Sequence, residues 1–308
     1  MGYTDPYKQQ KSVSIIITTR NRPHFLKSAV ESVQKETFPD YQLIVVDDNS
    51  DPQVRDQYEL PPDARLILLG PDAGGCASAA RNVGIAAAEG KYVAFLDDDD
   101  LWLPEKLAKQ VKILDDNPEY AMTFGPVLHA NEDLTIQGKQ ELPKLSSLDP
   151  LERLLWGNFI CTPSCVLMRR DVLTGCGKYD ESLLVGEDWE LWVRVALRYR
   201  MFMESEPATI YRTHPGQAMQ NSRMVAEWNV KVLQKVAAYL DQEHTEFRNL
   251  LRRRLASSLR RLARLQLKEL GGAAEARRSI CLAIRTWPYC LSSYFLYARL
   301  FGIRIIGG

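Results

Sequence analysis

Four consecutive aspartates, Asp97–Asp100, follow an apolar run in the sequence. Adjacent carboxylates repel each other, and a hard divalent cation with oxygen ligands removes that repulsion. The residue types therefore favour a site for Mg²⁺ or Mn²⁺ whose remaining ligands are phosphate oxygens and water. Side-chain alternation in an extended segment predicts that Asp97 and Asp99 point one way and Asp98 the other. The alternative is a solvated acidic turn at the start of a helix predicted at Leu101–Leu114, because acidic groups favour a helix start.

A second acidic pair, Glu187 and Asp188, stands directly before an amphipathic helical pattern at Trp189–Tyr199. A carboxylate in this position is suited to take a proton from an acceptor hydroxyl. Its alternative role is a helix cap, which is a common use of Asp. The Trp189 ring fits either an acceptor pocket or the protein core. His214 lies in a loop with Gly and Pro, which suits either a surface histidine or a further ligand of a metal or diphosphate.

Short apolar runs that alternate with helical patterns must position these residues. The runs are typical of buried strands, and their alternation with helices predicts a doubly wound α/β sheet. Ligands bind beyond the carboxyl ends of the strands in such sheets, and three of these ends carry Asp, Asn, Thr or Arg. The predicted strands are 13–17, 42–46, 65–69 and 92–96, with shorter ones around 122–128 and 164–168 and helices at 23–35 and 77–89.

Two common classes of nucleotide site are excluded by their missing glycine motifs. No Gly-x-Gly-x-x-Gly follows the first strand, and no Gly-x-x-x-x-Gly-Lys-Ser/Thr occurs. A nucleotide would instead meet strand-end side chains, where Asp48 is suited to accept a hydrogen bond from a base N–H. Arg81 fits either a phosphate contact or an ordinary exposed position on a helix. The formal net charge is zero, and we expect no nucleic-acid partner.

Six segments, in this order along the chain, resemble the motifs of glycosyltransferase family 2, whose fold is GT-A. They are Ser14–Pro23, Val45–Asp51, Ala80–Ile85, Phe95–Pro104, Gly186–Trp192 and Tyr211–Gln217. Arg20 stands where the family commonly has Tyr. The resemblance covers residues from about 12 to about 220 and implies a GT-A mixed sheet, followed here by a helical C-terminal appendage.

The resemblance implies a metal-dependent, inverting transferase that takes a sugar from a nucleotide-diphosphate sugar, with UDP as the expected nucleotide. It implies Asp99 and His214 as ligands of Mn²⁺ or Mg²⁺ and Asp188 as the catalytic base, with Glu187 and Trp189 expected near the acceptor. The expected acceptor is a glycan, a lipid-linked sugar or a protein, in the synthesis of a cell-surface polysaccharide, glycolipid or glycoprotein. The residues expected at the nucleotide sugar are Thr18, Arg20, Asp48, Arg81, Asp97 and Asp98.

Two other functions remain open at this point. A sugar nucleotidylyltransferase shares the general sheet and the metal, but it would carry a Gly-rich loop after the first strand, and residues 18–23 contain no glycine. A catalytically silent module that only binds nucleotide sugars would be expected to lack Asp99 or Asp188, and both are present.

Charge divides the chain into an expected catalytic domain at 1–225 and a helical region at 226–308. The second part holds 15 Lys and Arg against 6 Asp and Glu, a net charge of +9. We expect it either to contact an anionic membrane surface or to pack on the catalytic domain or on a second copy of the chain. The sequence shows no signal-peptide pattern and no spanning apolar run, so we expect a cytoplasmic location, with contact at the inner face of the membrane as the alternative.

Overall fold

The computed structural model describes residues 11–70, 75–142, 149–217 and 221–301. Within these ranges the chain forms eleven strands and ten α-helices. The strands are β1 Val13–Thr19, β2 Tyr41–Asp47, β3 Arg65–Leu68, β4 Tyr92–Asp97, β5 Leu101–Trp102, β6 Tyr120–Phe124, β7 Val127–Ala130, β8 Ile136–Lys139, β9 Val166–Arg169, β10 Arg200–Met203 and β11 Thr209–Arg212. The helices are α1 Pro23–Gln34, α2 Ala77–Ala87, α3 Lys106–Asp116, α4 Pro150–Trp156, α5 Arg170–Cys176, α6 Glu187–Ala196, α7 Ser222–Glu243, α8 Arg248–Gln266, α9 Ala273–Thr286 and α10 Leu291–Phe301.

The main sheet has seven strands in the order β10-β6-β9-β4-β1-β2-β3. β1 runs parallel to β2 and β4, and β2 runs parallel to β3. β9 is antiparallel to β4 and to β6, which makes the sheet mixed, as the GT-A resemblance implies. The carboxyl ends of β1, β2 and β4 lie side by side in register, and these are the strands with polar ends.

The apolar strand residues are buried on both faces of this sheet. Ile15 and Ile17 pack with Leu26 of α1 and Leu107 of α3 on one face. On the other face α2 approaches β1 closely at Gly84, where a side-chain carbon would collide with Ile16. This close approach holds α2, the helix that carries Arg81, against β1.

Two sequence predictions about secondary structure are wrong. The helix predicted at Leu101–Leu114 begins only at Lys106, because 101–102 form β5 and pair with β11, more than a hundred residues later. The single strand predicted around 122–128 is two strands in different sheets: β6 belongs to the seven-stranded sheet, and β7 to a smaller sheet in the order β5-β11-β7-β8. Strand pairing between distant segments overrides the local pattern in both places.

The chain divides into two compact units. The first comprises Met1–Lys144, Phe159–Glu181 and Arg194–His214, and the second Leu145–Asn158, Ser182–Val193 and Pro215–Gly308. Helices α7 to α10 belong to the second unit, where Ala256, Leu259, Ile280 and Leu296 contribute to a shared apolar core. No helix among the described residues has the length and hydropathy needed to cross a bilayer.

Candidate functional site

The carboxyl ends of β1 and β4 bring one aspartate of the acidic run into contact with the first strand and its loop. Thr19 donates a 2.7 Å hydrogen bond to Asp98 Oδ2, and Arg22 Nη1 lies 3.3 Å from Asp98 Oδ1. Burial, and to a smaller extent the charge of Asp99, raise the pKa of Asp98 to about 7 against the opposing effects of Thr19 and Arg22. Both oxygens of Asp98 are thus occupied by contacts within the protein.

Asp99 meets two side chains that are also metal or phosphate ligands in many proteins. Its Oδ2 lies 3.0 Å from His214 Nε2 and 3.1 Å from Arg22 Nη1. The His214 ring is buried and packs against Phe25, with ring centroids 4.7 Å apart. A carboxylate and an imidazole that are separated by 115 positions in the sequence therefore come together at one edge of the sheet.

Asp97 and Asp100 are held by a different set of partners. The hydroxyl of Thr162 lies 3.2 Å from Asp97 Oδ2 and 2.9 Å from Asp100 Oδ2, and Ser164 donates to the same Asp100 oxygen at 2.6 Å. Burial, together with the neighbouring carboxylates, raises the pKa of Asp100 well above its usual value. Asp100 is fully buried and serves to anchor the turn.

The expected alternation of the four carboxylates is therefore wrong. β4 ends at Asp97, and the chain turns at Asp98 and Asp99. Because the segment is no longer extended there, Asp98 and Asp99 share Arg22, while Asp97 and Asp100 share Thr162.

Asp48 directly follows β2, and Arg81 lies on α2 with its guanidinium at the end of β4. Arg81 is buried, its Nη2 lies 2.6 Å from Asp97 Oδ1, and its guanidinium stacks over the ring of Tyr179. The exposed-surface alternative for Arg81 is therefore wrong. Asp48 is also buried, and its Oδ1 accepts a 2.8 Å hydrogen bond from the backbone N–H of Gly75.

The remaining two predicted nucleotide residues lie at the end of β1. Thr18 is half-buried and lies opposite Asp97 in the strand register. Arg20 is exposed in the loop that follows. This loop is braced against the end of β2: Asn21 N–H donates to Ser50 Oγ at 2.8 Å, and Asp51 N–H donates to Asn21 Oδ1 at 2.8 Å.

The second predicted site belongs to the second compact unit. Asp188 lies in the first turn of α6, which begins at Glu187 directly after Gly186 with φ of +80°. Its Oδ2 accepts a 2.9 Å hydrogen bond from the Asn158 side-chain amide, and its Oδ1 accepts one from the backbone N–H of Trp189 at 2.7 Å. The side chain is half-buried and held in one orientation.

The tryptophans near this site are mainly core residues. Trp189 is buried and donates from Nε1 to the carbonyl of Leu154 at 2.7 Å, and Trp192 is fully buried. Trp156 remains exposed over more than a third of its surface, and Arg253 lies over its ring. Of the three rings, Trp156 is the accessible one.

Three contact residues of these sites stand out only in the structure. Arg22 and Thr19 lie within the first family-like segment. Thr19 lies on the same face of β1 as Ile15 and Ile17, so the alternation of side chains along the strand could have indicated that it points inward. Asn158 lies in no motif, and its 30-residue separation from Asp188 leaves no local pattern that would reveal it.

The donor chemistry at Asp99 fits a divalent cation that is shared with a diphosphate. One carboxylate oxygen and one imidazole nitrogen already lie 3.0 Å apart, and Mg²⁺ or Mn²⁺ sites commonly combine one or two carboxylates with substrate phosphates and water. In the part of the chain that the structure describes, no group of three or more His, Cys, Asp or Glu side chains is arranged to hold a metal. A cation here would therefore need ligands from the substrate.

Comparison with known proteins agrees with the fold. The profile of glycosyl transferase family 2 matches residues 14–176, which is more than half of the chain. The protein belongs to this family.

Two curated relatives show the range of the similarity. An uncharacterised glycosyltransferase of Methanocaldococcus jannaschii is 28% identical over 206 residues, covering 65% of this chain and 70% of its own length. The UDP-Glc:alpha-D-GlcNAc-diphosphoundecaprenol beta-1,3-glucosyltransferase WfaP of Escherichia coli is 27% identical over 210 residues, covering 68% of this chain and 80% of its own. Other curated relatives are matched over as little as 40% of their length.

Two solved structures share the fold over nearly the whole chain. TarS 1-349 of S. aureus in complex with UDP-GlcNAc has a TM-score of 0.67 at 19% identity, covering 95% of this chain and 83% of its own. The mannosyltransferase PcManGT of Pyrobaculum calidifontis, in complex with GDP-Man and Mn²⁺, has a TM-score of 0.59 at 18% identity, covering 96% and 88%. At these identities the likeness shows a common GT-A fold.

Proposed function

We propose that this protein transfers a sugar from a UDP-sugar to an acceptor hydroxyl with inversion at the anomeric carbon. The observation that carries the proposal is the contact of Asp99 with His214 and Arg22 at the carboxyl ends of β1 and β4. This arrangement places metal-type donors and a guanidinium where doubly wound sheets bind ligands. The UDP-GlcNAc bound to TarS, which has the same fold, supports a uridine nucleotide.

In this proposal residues at different strand ends contact different parts of the nucleotide-sugar donor. Asp48 and Thr18 contact the nucleoside, and Asp98 and Asp97 line the ribose side. Arg81 acts mainly by holding Asp97, since the two side chains already form a 2.6 Å ion pair.

Asp99 and His214 would hold Mn²⁺ or Mg²⁺, and the Mn²⁺ in the PcManGT complex supports this choice. Such a cation, when bound, stabilises negative charge on the departing diphosphate. Arg22 Nη1 lies 3.1 Å from Asp99 Oδ2, the oxygen that also faces His214, and supplies a second positive charge from the protein itself.

Asp188 serves as the general base. It takes the proton of the acceptor hydroxyl while that oxygen bonds to the anomeric carbon and the bond from this carbon to the diphosphate oxygen breaks. Asn158 is a positioning residue, because its amide donates a 2.9 Å hydrogen bond to one Asp188 oxygen and so restricts the rotation of the carboxylate.

We further propose a lipid-linked sugar as the acceptor, in the synthesis of a cell-surface glycan. The support is the name of the WfaP relative, which describes transfer to a sugar on diphosphoundecaprenol. A reaction at such an acceptor takes place at a membrane surface, which favours the second of the two expected locations, contact at the inner face of the membrane.

The test combines a donor panel with an acceptor panel. The full chain is incubated with UDP- and GDP-sugars and Mn²⁺, with and without a synthetic GlcNAc-diphosphate-lipid, and released nucleoside diphosphate and the product anomer are measured. We expect UDP release that depends on the acceptor and a product of inverted configuration. Pyrophosphate exchange with a sugar phosphate would indicate a nucleotidylyltransferase instead, and binding of donors without any transfer in the panel would indicate a silent module.

A further inference from the structure

The last helix and the turn before it present an exposed apolar face, which we call the aromatic face and define as Tyr289 of the turn and Leu291, Tyr294 and Phe295 of α10. Tyr289 and Leu291 are 81% and 76% exposed, and Phe295 is 58% exposed. Leu296, on the opposite side of α10, packs into the apolar core of the second unit. Exposure of large apolar side chains to water is costly, so a face of this composition marks a binding surface.

Exposed cations dominate the helices that carry this face. Between residues 244 and 301, nine Lys and Arg side chains are exposed, and the exposed acids are Glu246 and Glu269. The exposed cations are Arg252, Arg253, Arg261, Arg264, Lys268, Arg277, Arg278, Arg285 and Arg299. Arg253, Arg261 and Arg264 of α8 follow helical spacing and, with Lys268 in the turn after the helix, form one basic stripe.

Cations also contact the helix that carries the aromatic face. Arg260 Nη1, next to the basic stripe, lies 3.3 Å from Oγ of the buried Ser293 in the first turn of α10. At the other end of α10, Arg277 Nε donates to the carbonyl of Leu300 at 3.1 Å, and its guanidinium lies over the partly exposed Phe301 ring. Arginine side chains thus contact α10 near both of its ends.

We propose that α8 and α10 bind the surface of an anionic phospholipid membrane through the basic stripe and the aromatic face. Lys and Arg are attracted to acidic headgroups, while Tyr and Phe insert at the boundary between headgroups and acyl chains. A second copy of this chain is disfavoured as the occupant, because residues 226–308 carry a net charge of +9 and two such surfaces repel each other. This proposal does not depend on the donor, acceptor or reaction proposed above.

The experiment is co-sedimentation of the full chain with vesicles of phosphatidylcholine alone or of phosphatidylcholine and phosphatidylglycerol in equal parts. We expect binding to the anionic vesicles at low salt, weak binding to the neutral ones, and progressive release as the salt concentration rises, because salt screens surface charges. The oligomeric state is measured in parallel by analytical ultracentrifugation without lipid.

Two pairs of variants separate this surface from a general effect of charge. Arg261→Glu with Arg264→Glu should weaken binding to anionic vesicles by about 10-fold or more, given the contribution of each cation near a membrane. Lys109→Glu with Lys112→Glu is the matched control: it changes the net charge equally, with the same spacing, on exposed positions of α3 in the first unit. Tyr294→Ser with Phe295→Ser should also weaken binding, whereas Ile136→Ser at an exposed strand position should not.

Each alternative outcome contradicts the proposal. Equal binding to neutral and anionic vesicles, or equal losses in the α8 and α3 charge variants, would show that this surface has no specific role. Absence of vesicle binding, together with a dimer that Phe295→Ser dissociates, would assign the aromatic face to self-association. Far-ultraviolet circular dichroism and thermal unfolding establish that each variant is folded before it is compared.

Discussion

Asp99 differs from the other three aspartates of the run in what its carboxylate contacts. Asp98 accepts from Thr19 and shares Arg22 with Asp99. Asp100 is held by hydroxyls and a backbone N–H, and Asp97 is paired with Arg81. In the described part of the chain, what distinguishes Asp99 is a histidine contact: its Oδ2 lies 3.0 Å from His214 Nε2. At the scale of single residues, Asp99 is therefore the best candidate for the metal ligand.

Asp99→Asn preserves the shape of this side chain and removes its charge. We expect the Mn²⁺-dependent affinity for UDP to fall by about 100-fold, since even changes to the partners of a metal ligand cost about 10- to 100-fold. Calorimetry of UDP binding in Mn²⁺ and in excess chelator measures the effect. Asp116→Asn, at an exposed ion pair on α3, is the control. Equal UDP affinity of the wild-type protein in Mn²⁺ and in chelator would refute the metal site.

Asp188→Asn tests the base separately from the donor site. The amide keeps the volume of the carboxylate but cannot accept a proton, so transfer should slow by about two to four orders of magnitude. UDP affinity should barely change, because the proposed role of Asp188 concerns the acceptor. Glu187→Gln, one position earlier in α6, should lose much less activity. A wild-type transfer rate in Asp188→Asn would end the assignment of this residue as the base.

At the scale of elements, α1 and α3 are joined by a buried polar network rather than by apolar contacts alone. Glu36, just after α1, accepts a hydrogen bond from Leu107 N–H at 3.1 Å, at the start of α3. Lys106 is completely buried, donates to Gln110 at 2.7 Å and lies over the Trp102 ring. Burial raises the pKa of Glu36 to about 7 and lowers the pKa of Lys106 to about 8.

This network predicts a pH dependence of stability with a definite sign. Between pH 4.5 and about 7 the folded protein keeps the Glu36 proton while the unfolded chain releases it, so the free energy of unfolding contributed by this group falls as the pH rises. Glu36→Gln keeps the acceptor for Leu107 and removes the titration. Urea unfolding at about pH 5 and about pH 8 should show a smaller difference for the variant than for the wild type.

Glu31→Gln, at an exposed position of α1, is the matched control and should retain the wild-type difference. If Glu36→Gln loses as much stability as the wild type between the two pH values, the titrating group lies elsewhere in the molecule.

At the scale of the whole molecule, ligand binding should appear as thermal stability. A ligand that binds only the folded state stabilises it by about 2.7 kcal/mol when present at 100 times its dissociation constant. We expect UDP with Mn²⁺ to raise the melting temperature, UDP with chelator to raise it less, and Asp99→Asn to remove the difference between them. A larger rise with GDP than with UDP would contradict the proposed donor while leaving the metal site intact.

The sequence by itself determined the class of the protein and most of its elements. Buried strands such as β1 and β4 consist mainly of apolar residues, and α1 begins at Pro23 as its pattern predicts. These features depend on neighbours in the sequence, so short-range patterns reveal them. In the structure Asp48 follows β2, the aspartate run begins at the end of β4 and Arg81 lies on α2, and the roles of these residues at a nucleotide sugar stay predictions.

Tertiary structure alone decided which residues meet. The pairing of β5 with β11 replaces the first turn of a predicted helix. The chain turns at Asp98 and Asp99, so the side chains of the four aspartates do not alternate as they would in an extended segment. His214 reaches Asp99 across 115 positions, and Asn158 reaches Asp188 across 30. The family-like segments imply that Asp99 and His214 share a metal, but their contact depends on the packing of whole elements. The contact of Asn158 with Asp188 depends on the same packing, and no periodic or motif pattern in the sequence indicates it.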